Sequence, residues 1–348
     1  MLSIKISYYF ILILIYLSLT STQLIHKLQD KLKKVASSHG IDTTRYDYEE
    51  MMLFPNVGFE TKDGGWRLNV HGWRFQTSIR NKFLGKSSSA AAQRLARVVA
   101  SDEQLVYFND TFQRERLKPF MLQDESNERI TIEIGNQNFS TKTDKDGQFR
   151  TSYMFKNADV QKLKKNQQIA YKAIGDNDDS WKGTIYLVER KGLAVISDID
   201  DTVKISEVID KIRLVANTFI HKFRVVPGMP ETYRTWKAKH NCTFHYISAM
   251  PDQLYTFTKE FFDEERFPEG TYHMSGERDP EIYGSIARMY PKRVRSIFIR
   301  AVKGEKGDDE RFFTAFKGVP REKWMIFTDS RELPKDLSNP PGPKGKKT

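Results

Sequence analysis

Three carboxylates and a hydroxyl are crowded into the stretch Val195-Ile-Ser-Asp198-Ile-Asp200-Asp201-Thr202-Val203. The apolar run Leu193 to Ile196 leads into them and reads as a buried strand. A buried strand that aims carboxylates at one point is costly unless positive charge meets them. A divalent cation and a phosphate group would supply that need. At the C-terminal end of a parallel strand, Asp198 can act as a nucleophile that forms an aspartyl-phosphate. Asp200, two residues on, can protonate a leaving alkoxide and then activate water. Mg²⁺ held by Asp198 and a backbone carbonyl would offset the repulsion between carboxylate and phosphate. The bland alternative is an acidic loop, either a plain turn or a weak calcium site. The strand in front of the cluster favours phosphoryl chemistry.

A second chemical element is His245-Tyr-Ile-Ser248, at the end of another strand-like run. A hydroxyl there could hydrogen-bond a phosphoryl oxygen. A serine at a strand end also suits the N-cap of a following helix, and Pro251 opens one. The elements expected to position these groups alternate. Strands are expected at 193–196, 243–247, 294–299 and 323–327, and helices at 203–219, 229–239, 252–262, 280–289 and 309–316. Such alternation predicts α/β architecture, a parallel sheet with crossover helices. One fault breaks it: 267–277 lacks the length and apolar content of a buried strand, so two helices follow each other. Residues 54–190 read instead as a β-rich accessory domain, with strands near 66–75, 130–134, 138–143, 149–155, 168–174 and 183–188. A turn is expected at Asp144-Lys-Asp-Gly147, and helices at 88–100 and 103–116.

The 348 residues have room for one large or two ordinary domains. A 39% apolar fraction rules out a disordered chain, and a net charge of +11 favours anionic partners. Met1 to Thr22 has the layout of a signal peptide, one lysine and then an apolar stretch closed by small polar residues. This predicts the secretory pathway or an extracellular destination, with a retained membrane anchor as the alternative. Sequons at Asn109, Asn138 and Asn241 are compatible with that route. Residues 23–53 form an amphipathic lead, with Leu24, Leu28, Leu32 and Val35 on one face and Lys27, Lys31, Lys33 and Lys34 on the other. It suits a surface helix or an anionic membrane surface. The single cysteine, Cys242, excludes an intrachain disulfide and multi-cysteine metal sites. Residues 336–348 read as a disordered basic tail.

Beyond the carboxylate cluster, Pro227-Gly-Met229, Tyr233-x-x-Trp236 and Phe244-His-Tyr-Ile-Ser248 follow in one order. Gln253-Leu-Tyr255, Pro268-x-Gly270 and Ser275-Gly-Glu-Arg-Asp-Pro-Glu281 come after them. From about Leu193 to Leu333 the chain resembles the Mg²⁺-dependent phosphatidate phosphatase family of the actin-patch type, within the haloacid dehalogenase-like superfamily. The resemblance implies a haloacid dehalogenase-like sheet over 191–335 and hydrolysis of phosphatidate to diacylglycerol and phosphate. It implies Asp198 as nucleophile and Asp200 as acid/base. Thr202 and Ser248 would bind phosphate, and Asp198, Asp200 and Asp279 would hold Mg²⁺. Two departures stand out. Met250 replaces a usual second serine. The chain also jumps from Met274 to Ser275, skipping a segment that in relatives carries a phosphate-binding lysine and a strand beside the nucleophile strand. Met274 stands where that family has a metal-binding aspartate, and neither Lys259 nor Lys292 replaces the lysine. The skipped segment is expected to leave apolar surface and ladder groups of the Leu193 to Ile196 strand uncovered. It points to a shortened splice form or an incomplete gene model with weakened turnover. Two further readings stay open, a non-catalytic module for anionic lipid and a phosphatase of soluble esters. Nucleic acid has only the basic charge in its favour, and oligomeric state is not set by the sequence.

Overall fold

The computed structural model describes residues 48–77, 116, 119–120, 122–176, 179–219, 221–274, 279–302 and 310–338. The leader, the Lys27 to Lys34 segment, the expected helices at 88–100 and 103–116 (save residue 116) and the tail from residue 339 lie outside them. Two compact units divide the described chain, one of 48–192 with Gly270–Tyr272, the other the remainder from Leu193.

The first unit is β-rich. Its strands are β1 (Tyr48–Phe54), β2 (Asn56–Glu60), β3 (Trp66–Thr77), β4 (Gln123–Asp124), β5 (Arg129–Ile134), β6 (Gln137–Lys142), β7 (Gln148–Phe155), β8 (Gln168–Ile174) and β9 (Ser180–Val188). One sheet joins them in the order β1-β3-β2-β9-β8-β5-β6, with β4 and β7 also paired to β3. Only β2 and β9 run parallel. Alternation does what it should. In β5, Ile130, Ile132 and Ile134 are fully buried while Thr131 and Glu133 are not. The expected turn at Asp144 to Gly147 is present. The Asp144 carboxylate accepts from the amides of Asp146 and Gln148, and Gly147 takes φ +69°. A short helix, α1 (Asn157–Leu163), caps this unit's core through Val160. Tyr48–Phe54, within the expected amphipathic lead, is a strand in register with His71–Thr77.

The second unit is mixed α/β. It contains β10 (Ala194–Asp198), α2 (Lys211–Phe219), α3 (Met229–His240), β11 (Thr243–Ser248), α4 (Tyr255–Glu264) and the end of β12 (Gly270–Met274), whose first three residues group with the first unit. Then come α5 (Asp279–Met289), β13 (Ile297–Arg300), α6 (Glu310–Ala315) and β14 (Trp324–Phe327). β10 and β11 are parallel, with Asp198 opposite Ile247. Three corrections to the sequence reading follow. A strand, β12, occupies the place expected to lack one, and joins the sheet in the order β10-β11-β12. β13 and β14 pair in parallel as a separate two-stranded sheet, where one continuous sheet was expected. The helix expected from Val203 starts only at Lys211. Its first eight residues are a loop, in which Asp201 draws the amides of Ser206, Glu207 and Val208 to its own carboxylate.

β10 lies at the edge of its sheet. Ile196 in its middle is 52% exposed. A parallel strand is ordinarily covered on both faces.

Candidate active site

The carboxylate loop is built by backbone bonds that fold it back on β10. Ile199 N–H donates to the Ile247 carbonyl, and the amides of Val203 and Lys204 donate to the Ile199 carbonyl. Asp201 takes φ +60° and its carboxylate accepts from the amides of Ser206, Glu207 and Val208, at 2.9, 2.8 and 2.8 Å. Arg300, at the end of β13, donates to the Asp201 carbonyl at 2.6 Å. The third acid of the cluster is therefore structural. It caps the loop and fixes the direction of its neighbours.

Asp198 ends β10 and is buried, 8% exposed. Its peptide is steadied by Ser197, whose hydroxyl donates to the Asp198 carbonyl at 2.7 Å and lies 2.8 Å from the Tyr233 hydroxyl. Burial pushes the Tyr233 phenol well up, against the opposing pull of Ser197, and the Asp198 charge adds to the rise. Tyr233 is thus a neutral donor-acceptor behind the strand end.

Asp200 gathers the remaining polar groups. Lys204 approaches Oδ1 at 2.9 Å, the Ser206 hydroxyl donates to Oδ1 at 2.6 Å and the Ser248 hydroxyl donates to Oδ2 at 2.7 Å. Burial would raise this carboxyl. The Lys204 charge and the bonds from Ser206, Lys204 and Ser248 outweigh it and hold the pKa below the ordinary value. Lys204 is itself 2% exposed and lies 4.5 Å above the Phe223 ring. Its ammonium also meets the Met250 sulfur at 3.8 Å. Held this way, the carboxylate rests ionised and takes up a proton only when the Lys204 ion pair loosens.

The structure thus brings Asp200 and Ser248 into contact and sets Asp198 at the adjoining strand end. The Ser248 hydroxyl accepts from the Met250 amide at 3.0 Å and spends its proton on Asp200, so phosphate binding would require it to rotate. Thr202 is half-buried in the loop, and among the described residues no hydrogen bond joins it to Asp200 or Ser248. Asp279 opens α5, and its side chain lies outside the described residues. Lys204 and Ser206 are the groups that residue-type reasoning missed. Lys204 stands inside the motif, and its flanking by Val203 and Ile205 was the signal that it points inward.

No three acidic, imidazole or thiol groups converge as a metal site among the described residues. The donor chemistry agrees. Asp201 is filled by backbone amides and Asp200 by an ammonium and two hydroxyls, so among the described side chains Asp198 alone does not complete a divalent site.

Carboxylates at the tip of one parallel strand, facing a hydroxyl at the tip of the next, define an α/β domain with its polar site at strand ends. Residues 193–275 match the family described as phosphatidate phosphatase APP1, catalytic domain. An uncharacterized protein of Schizosaccharomyces pombe is 25% identical over 169 residues, covering 36% of this chain and 28% of the relative. The phosphatidate phosphatase APP1 of Saccharomyces cerevisiae is 26% identical over 160 residues, covering 34% of this chain and 27% of the relative. The segment from Leu193 to Ser275 is similar to APP1-type catalytic domains, while the chain spans under a third of the length of either relative.

Proposed function

We propose that this protein hydrolyses phosphatidate to diacylglycerol and inorganic phosphate, with turnover weakened by the junction at Met274. An Asp198 carboxylate oxygen attacks phosphorus, and the bond from phosphorus to the diacylglycerol oxygen breaks. Asp200, once protonated, gives its proton to that oxygen. It then takes a proton from the water that cleaves the aspartyl-phosphate, which releases phosphate and restores Asp198. In its resting form Asp200 is set for the second half of this cycle, because Lys204 keeps it charged.

The observation that carries this reading is that residues 193–275, the span matched to the catalytic domain, hold the whole carboxylate loop and Ser248. The uncovered edge of β10 supports the weakened turnover, since a nucleophile strand with one bare edge is less firmly aimed. Mg²⁺ is the cofactor that the resemblance implies. The leader pattern of residues 1–22 supports entry to the secretory pathway, and N-terminal sequencing of the secreted protein reads its cleavage.

Phosphate release from phosphatidate in mixed micelles, with Mg²⁺ or with chelator, tests the reading against an Asp198→Asn control. Release above that control is expected. Release equal to it rejects catalysis by this chain. Glycerol 3-phosphate under the same conditions separates lipid from soluble substrates.

A further inference from the structure

We infer that the end of α5 and the turn after it, Arg288 to Arg295, form a docking surface for a bilayer containing anionic lipid. Met289 and Tyr290 are 62% and 54% exposed, large groups with no covering layer among the described residues. Ile282, 40% exposed, lies seven residues before Met289, two turns back on the same face of α5. Directly beside them the chain runs Pro291-Lys292-Arg293-Val294-Arg295, with Lys292, Arg293 and Arg295 exposed and no acid between Arg288 and Arg295. Among the described residues none of these three cations is in an ion pair.

The surface is also preformed. Lys323 donates to the carbonyls of Pro291 and Val294, at 2.5 and 3.0 Å, and so pins the turn from below. The amides of Arg293 and Val294 donate to the Tyr290 carbonyl. Arg288 donates to the carbonyls of Ala315 and Lys317, which ties α5 to the segment after α6. Little ordering is needed to bind.

An exposed tyrosine and methionine rimmed by unpaired lysine and arginine match the headgroup region of a membrane. Amphipathic rings settle there and cations meet lipid phosphates. A nucleic acid would reward the charge but not the bare methionine and isoleucine. The turn feeds β13, whose far end carries Arg300 to the Asp201 carbonyl. A four-residue strand spans about 13 Å, so this surface is separate from the carboxylate loop. It does not depend on the proposed reaction.

Cys242 is fully buried and is the only cysteine, so Met289→Cys in the full chain takes an environment-sensitive fluorophore at one exposed position. Phosphatidylcholine vesicles with phosphatidylserine should shift its emission to the blue, pure phosphatidylcholine should not, and high salt should reverse the shift. In co-sedimentation, Lys292→Gln, Arg293→Gln and Arg295→Gln together should weaken binding roughly 100-fold, at about fivefold per charge. Tyr290→Ser should weaken it separately, and Asp198→Asn should leave it unchanged. Retained protection of Cys242 from thiol reagents shows that each variant is folded. The inference is overturned if the label at position 289 reports nothing while the chain sediments. It is equally overturned if the triple variant binds like wild type, or if no anionic vesicle is bound.

Discussion

Lys204 and Asp200 form a buried pair whose removal can be predicted quantitatively. At 2.9 Å and an effective dielectric of about 20, their attraction is 332/(20 × 2.9), or about 6 kcal/mol before desolvation is counted. Most of that is spent on taking both charges from water, because the side chains are 2% and 17% exposed. The informative quantity is the cost of breaking the pair. Lys204→Met leaves Asp200 charged with only Ser206 and Ser248 to hold it, and should cost roughly 3–5 kcal/mol. At 2–4 °C per kcal/mol for a unit of this size, the second unit should melt about 6–20 °C lower. Asp200→Asn strands the ammonium above Phe223 and should cost a similar amount. The double variant removes both charges, and methionine suits a cleft lined by Phe223 and Met250. Its loss should therefore fall at least about 1 kcal/mol short of the two single losses added together. Reactivity of Cys242 toward a thiol reagent, followed through a urea titration, reads unfolding of this unit alone, since Cys242 is fully buried within it. Additivity within about 0.5 kcal/mol would mean that the two charges do not depend on each other, and the electrostatic account of the loop would fail.

Three further outcomes are expected. His245, packed 6.0 Å from the His273 ring, has its pKa lowered to about 4 by burial and by that neighbour. The unfolded chain therefore binds the extra proton first. Stability should fall as pH drops from about 6.5 toward 4, by on the order of 2 kcal/mol, and His245→Phe should flatten that limb in urea titrations at stepped pH. Asp201→Ala orphans three amides and should cost about 3 kcal/mol, whereas Asp201→Asn, which keeps an acceptor, should cost less; a reversed order in the Cys242 assay would refute the capping role. Gly228 has φ +78° and a Cβ there would sit 2.2 Å from the Ser330 hydroxyl oxygen. Gly228→Ala should destabilise by roughly 2–3 kcal/mol, and a loss under 0.5 kcal/mol would show that the contact relaxes freely.

Much of the second unit was legible because its signals are local. An apolar run into carboxylates marked β10, and the run from Thr243 to Ser248 marked β11 with its serine at the tip. The alternating Ile130, Ile132 and Ile134 marked β5 equally well. What misled was sequence whose structure depends on distant groups. Ile205, Val208, Ile209 and Ile212 have helix-like spacing, yet Asp201 captures three of the amides that a helix would need. Gly270 to Met274 is short and mildly polar, so only its place beside β11 makes it a strand. The role of Lys204 was hidden for the same reason: its partners Phe223 and Met250 are far along the chain, and a lysine ordinarily reads as surface. The separation of β13 and β14 from the main sheet is a matter of tertiary pairing, to which periodicity is blind.

The bare flank of β10 has a colloidal consequence. Its middle residue is a half-exposed isoleucine, and among the described residues no strand neighbours its outer amides and carbonyls. Such a flank accepts any extended segment that diffuses against it, including one from another molecule of the same kind. The five residues of β10 are therefore also where crowded molecules would begin to stick. Concentration, rather than heat, becomes the first stress this domain must survive.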